Sequence, residues 1–213
     1  MISLFEYFNG KPNPKLLIRE IKEGKHHWHP PDPINKTNND DQLVKDITKV
    51  KGSDALRIID ALAEHLPQRT DLQQEIYKAR EEYDVKDRVL THMAKNDDFK
   101  RITDLLKEEC DNCDNEEKPD HQADEIGERV LHALSLQVQH VHRNPGATGD
   151  DMGQILSQLP KDYHHLALNT LQQNAQQDNT KNLLSAFAAR VDDTNIAKSA
   201  ITTLLDNREP GCL

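Results

Sequence analysis

Apolar residues recur along most of this chain every three or four positions, in short runs separated by proline, glycine and polar clusters. That period places one apolar stripe on each of a series of helices. Leu43, Val44, Ile47 and Val50 precede Gly52, and Ala55, Leu56, Ile58, Ile59, Leu62 and Leu66 lead up to Pro67. Leu72, Ile76, Ala79 and Tyr83 follow a capping box at Thr70–Gln73, while Ser53, Asp84 and Asp97 or Asp98 read as further N-caps. Val85, Val89, Leu90 and Met93 make the next stripe, followed by Phe99, Ile102, Leu105 and Leu106.

The pattern resumes with Ala123, Ile126, Val130, Leu134, Val138 and Val141, predicting a helix from about Asp120 to Arg143 that would span about 36 Å. Four shorter stripes complete the chain. They are Met152, Ile155, Leu156 and Leu159; Tyr163, Leu166, Ala167 and Leu171; Leu183, Leu184, Phe187 and Val191; and Ile196, Ala197, Ala200, Ile201, Leu204 and Leu205.

At the other end, Asn13-Pro14 supplies an N-cap and a first-turn proline for a helix through Glu23, with Leu16, Leu17, Ile18 and Ile21 inward and Gly24 as the stop. Ser3–Glu6 has capping-box spacing ahead of Tyr7 and Phe8, which predicts a short additional helix. Residues 25–40 are rich in proline, histidine and asparagine and carry neither period, so they read as an extended linker.

The expected fold is therefore all-α, a multi-helix bundle or short α-solenoid of antiparallel helix pairs with an N-terminal arm. The expected organisation is a helical arm at 1–24, the linker at 25–40, and a single helical domain at 41–213 with an acidic connector at 108–119. An echo between Leu62-x-x-x-Leu66-Pro67 and Ile155-x-x-x-Leu159-Pro160 fits stacked helix pairs. Neither a tetratricopeptide nor an ankyrin signature accompanies it.

Composition sharpens this reading in two respects. The chain is 35% hydrophobic and 4% aromatic, with mean hydropathy −0.83, so the core between its helices is thin. Its net charge is −10, and residues 51–125 hold 21 acidic against 12 basic side chains. Such a balance disfavours binding to a nucleic-acid backbone and favours a basic protein surface as partner. Neither a signal-peptide core nor a membrane-length apolar run occurs, so the expected location is cytoplasmic, or secreted without such a signal.

Candidate chemistry is sparse. Cys110-Asp-Asn-Cys113 has the spacing of half a zinc site, and His121 lies eight residues further on, which makes Cys110, Cys113 and His121 the metal candidates. The surrounding carboxylates raise thiol pKa and argue against redox chemistry, and an exposed acidic connector with incidental cysteines is the simpler account. No cofactor is expected beyond that zinc option.

On the long helix, His121, Glu125, Glu128, His132, Ser135 and Gln139 share one face, which reads as solvated. His140, His142, His164 and His165 would share a titrating surface if the long helix packs on the helix after Pro160. Phe5, Phe8 and Trp28 are apolar anchors, and Glu116 and Glu117 are acidic ones, for a protein partner. The expected function is a non-enzymatic helical interaction module or adaptor, in one form a secreted bacterial effector that binds a host protein. The alternative is a metal-dependent hydrolase using His and Glu side chains of the long helix.

Overall fold

The computed structural model describes residues 13–23, 39–96, 98–113, 120–139 and 149–207, with side chains described for all of these but 39–42, 111–113, 120–123, 149–150 and 179. Among these residues there are eleven α-helices and no strand. The chain divides into two compact units, Met1–Asn96 and Asp97–Leu213. That boundary falls inside the stretch expected as one helical domain. None of the described helices is long and apolar enough to cross a membrane.

Unit 1 contains α1 (Pro14–Lys22), α2 (Asn39–Lys49), α3 (Ser53–His65), α4 (Thr70–Ala79) and α5 (Tyr83–Lys95). Asn13 caps α1 as its sequence implies, accepting from the backbone N–H groups of Lys15 and Leu16 at 3.1 and 3.4 Å. Helix α1 packs on α3, α3 on α5, and α2 on α4, so alternate helices form two rows. Leu17 and Ile21 are fully enclosed, which makes α1 part of the unit's core rather than an arm apart from it.

Helix starts are where local signals misplace a residue. Ser53, Thr70 and Asp84 lie within their helices, and the capping positions belong to Gly52, Arg69 and Glu82, none of which makes a side-chain cap bond. Gly52 takes a φ of +61°, a left-handed conformation that a residue without Cβ adopts freely.

Arg80 ties the two rows of unit 1 together. It is 2% exposed and follows directly on α4. Its guanidinium donates from Nη1 to the carbonyls of Ile47 and Val50, at the end of α2, and from Nε and Nη2 to Glu82, both at 2.8 Å. The Ile47 carbonyl also accepts from the Val50 N–H at 3.1 Å, so the guanidinium adds a second donor there and supplies one to the Val50 carbonyl from a distant part of the chain. Elsewhere in unit 1, Lys86 is buried with its ammonium 5.0 Å from the centre of the Tyr77 ring.

Unit 2 contains α6 (Phe99–Cys113), α7 (Asp120–Gln139), α8 (Gly149–Gln158), α9 (Lys161–Gln173), α10 (Asp178–Ala188) and α11 (Thr194–Asp206). Here too alternate helices meet: α6, α8 and α10 form one row, and α7, α9 and α11 the other. Helix α8 approaches α10 backbone to backbone. A Cβ on Gly153 would stand 2.7 Å from the Ala186 Cβ and 2.9 Å from the Ala186 carbonyl carbon, so no side chain fits there. Buried Val130, Ala133, Leu134, Val138, Ile155, Leu156, Leu168, Leu171, Leu184 and Phe187 form the core between the rows.

Two expectations are corrected in this unit. The connector does not begin at Glu108, because α6 continues to Cys113. Leu106 and Cys110 are four residues apart on one face, and Cys110 is 9% exposed, behaving as a small apolar residue that prolongs the stripe. The stripes of α9 and α11 also differ from those assigned. His164 and Leu168 face inward while Leu166 is 50% exposed, and Ile201 and Leu205 are 48% and 50% exposed.

Candidate functional site

The residues singled out by sequence are not gathered into one place by the described structure. Phe5, Phe8, Trp28, Glu116 and Glu117 lie outside the described residues, as do His140 and His142. Cys113 and His121 lie on α6 and α7, but their side chains are outside the description, and Cys110 is inside the core of unit 2. Among the described residues, no group of three or more His, Cys, Asp or Glu side chains could hold a metal ion. Helix α7 does pack on α9, yet His164 is buried edge-on against Phe187, with ring centres 5.9 Å apart, while His165 is exposed.

The joint between α6 and α7 is held by a buried guanidinium. Arg129 is 4% exposed and donates from Nε to Glu109 at 3.2 Å, with Glu125 one turn back on α7 at 3.9 Å. Two carboxylates thus neutralise one enclosed cation, a structural duty that uses part of the acidic surplus. Of the polar face expected on α7, Glu128 and Gln139 are exposed while Glu125, His132 and Ser135 are half-buried.

Between α3 and α5 the sequence reading missed a surface cluster. His92 Nε2 and Asp60 Oδ1 are 2.8 Å apart, and because a carboxylate only accepts, the imidazole N–H is the donor. Arg88 donates to both oxygens of Asp60 at 3.3 and 3.4 Å. Asp60 and Arg88 are each 44% exposed. The spacing of Arg88 and His92, four apart on one helix, is the signal that could have found it. The carboxylate here is shared by two donors, which makes the cluster a clasp between helices.

The most distinctive surface is on α11. Asp193 caps this helix, accepting from the N–H groups of Asn195 and Ile196 at 2.8 and 3.1 Å, and these bonds hold its carboxyl below the usual carboxylate range. On the side facing α9, Gln172 donates from one amide nitrogen to Ser199 at 3.1 Å and Thr203 at 2.8 Å. Ile196 and Ala200 turn into the core. Ile201 and Leu205 each stand two residues beyond a partner of Gln172, which is about 200° around the helix. They therefore project from the side of α11 opposite α9, one turn apart, and half of each side chain meets solvent.

Tyr163 shows how the row behind α11 is fixed. Its hydroxyl donates to the Asp124 backbone carbonyl at 3.1 Å and lies 3.2 Å from that residue's carboxylate. Burial and this acidic neighbour both push the phenol pKa up. Comparison with protein-family models, with characterised proteins and with solved structures gives no match.

Proposed function

We propose that this chain is a helical protein-binding module whose docking surface is the outer side of α11. The observation that carries the reading is the pair Ile201 and Leu205, exposed together at the edge of a row of packed helices. The end helix of a stack needs a polar outer side to remain soluble by itself, and an apolar one is covered when a partner is bound. The expectation of a secreted effector that binds a host protein is one form of this reading.

Burial of two such side chains against a partner contributes about 2–3 kcal/mol, enough to make them centres of an interface rather than its entirety. The test is retention of partners from a source-cell extract by the parent chain, by Ile201→Asp/Leu205→Asp, and by His92→Ala. Proteins held by the parent and by His92→Ala but lost from the double variant support the reading. Retention by all three alike would contradict it.

A further inference from the structure

Away from the α11 ridge, we infer that residues 161–166, the first turns of α9, form a strap over the core of unit 2 that is latched by Tyr163 and poised to open. Lys161, Asp162, His165 and Leu166 are exposed and Tyr163 is half-buried, so His164 is the one enclosed side chain of this stretch. It is 5% exposed, and neither ring nitrogen has a hydrogen-bond partner among the described residues. Each nitrogen is a donor or an acceptor, and both lose water without replacement. Further along α9 the inward side is apolar, with Ala167, Leu168 and Leu171 buried. The unfavourable enclosure is thus confined to the start of the helix.

What closes the strap lies at the surface. Pro160 occupies the N-cap position and makes no side-chain cap bond, so no cap secures the first turn. The Tyr163 ring is seated on Gly127 instead, where an added Cβ would stand 2.7 Å from ring atoms Cε1 and Cζ. Its hydroxyl reaches one turn back along α7 to the Asp124 carbonyl. Water competes for this exposed bond, and opening restores hydration to both His164 nitrogens. Opening at 161–166 therefore takes less free energy than separating α8 from α10, and it uncovers Phe187, against which His164 lies edge-on.

Native-state hydrogen exchange of the full chain reads the strap at the amides of Leu166, Ala167 and Leu168, which bond back to residues 162–164 when α9 is closed. In the parent they exchange before the amides of Ile155, Leu156 and Leu184 in α8 and α10. Tyr163→Phe, which keeps the ring and removes the hydroxyl, speeds them by about 5-fold and leaves α8 and α10 unchanged; His164→Leu slows them by about 10-fold. Diethyl pyrocarbonate, which acylates an imidazole that solvent reaches, gives a second reading. It modifies His164 more slowly than exposed His165, and Tyr163→Phe speeds the reaction at His164 by the same factor as the exchange. Strap amides that open only together with α8 and α10, or that Tyr163→Phe leaves unchanged, would overturn the inference. So would a His164→Leu chain that melts below the parent, or acylation of His164 at one rate in the parent and in Tyr163→Phe.

Discussion

Unit 1 and unit 2 are built on the same plan, alternate helices packed in two rows, and both enclose polar side chains, yet they differ in charge balance and in the apolar surface they expose. Unit 1 balances 16 basic against 16 acidic side chains and encloses Glu20, Asp46, Gln73, Arg80 and Lys86, while unit 2 encloses Thr103, Arg129, Gln137, His164 and Thr180. Arg80 joins the end of α2 to the start of α5 through four hydrogen bonds. Unit 2 carries the entire negative excess, packs α8 on α10 through bare backbone at Gly153, and leaves an apolar ridge at its edge. The surplus lies at residues 97–125, with 12 acidic against 4 basic side chains, whereas 126–213, which hold the ridge, carry 9 and 7, so what sets the ridge apart is apolar exposure rather than charge.

The largest expected effect on this contrast is at Arg80. Arg80→Met keeps the apolar stem but removes the guanidinium from the buried Val50 carbonyl and its bonds to Ile47 and Glu82, and unit 1 should lose about 3 kcal/mol. Native-state hydrogen exchange would show faster opening of α2, α4 and α5 with α8–α10 unchanged; equal loss in both units would break the distinction. Next is Gly153→Ala, which should cost unit 2 about 2 kcal/mol because the obstructing atoms of Ala186 include backbone. An unaltered melting temperature would show that α8 and α10 can separate without penalty.

Acid should act on unit 1 through Glu82. Burial raises the pKa of this carboxyl, but its backbone bond and Arg80 outweigh that and leave it lowered from 4.5. The associated stability is present above the unfolded value and is lost as pH falls through the lower folded one. Glu82 is 48% exposed, so the contribution is under about 1 kcal/mol. Glu82→Gln should flatten the stability of unit 1 between about pH 5 and 3, and an unchanged slope would remove this role. Smallest is the stability change in Ile201→Asp/Leu205→Asp, under about 1 kcal/mol, because half of each side chain is already hydrated.

Much of the fold is legible in the sequence because periodicity reports it directly. The helices after residue 41 and the Asn13 cap follow from spacing and capping chemistry. Cap positions drift by a residue or two where serine, threonine or aspartate sits just inside a helix, as at Ser53 and Asp84. Cys110 was assigned to a connector because carboxylates surround it, while its place four residues after Leu106 decides its burial.

The ridge was legible too, though it was counted as core. Ile196, Ala197, Ala200, Ile201, Leu204 and Leu205 cover about 180° of α11, wider than the roughly 100° that one buried side requires. Which edge of that arc stays outside depends on where α9 and α10 lie. The bonds from Arg80 to α2 were not legible, since Ile47 and Val50 lie 33 and 30 residues away, and of the Asp60, Arg88 and His92 cluster only the four-residue spacing of Arg88 and His92 shows in the sequence.

The most direct test places a photoreactive phenylalanine at Thr202, beside the ridge, and in a second version at Arg57 on an exposed part of α3. In source cells, the chain labelled at Thr202 should form a discrete adduct with another protein, lost on Ile201→Asp/Leu205→Asp, while the chain labelled at Arg57 should form none. Adducts of the same protein through both positions, or adducts at Thr202 that survive the double substitution, would contradict the assignment of the working surface to unit 2.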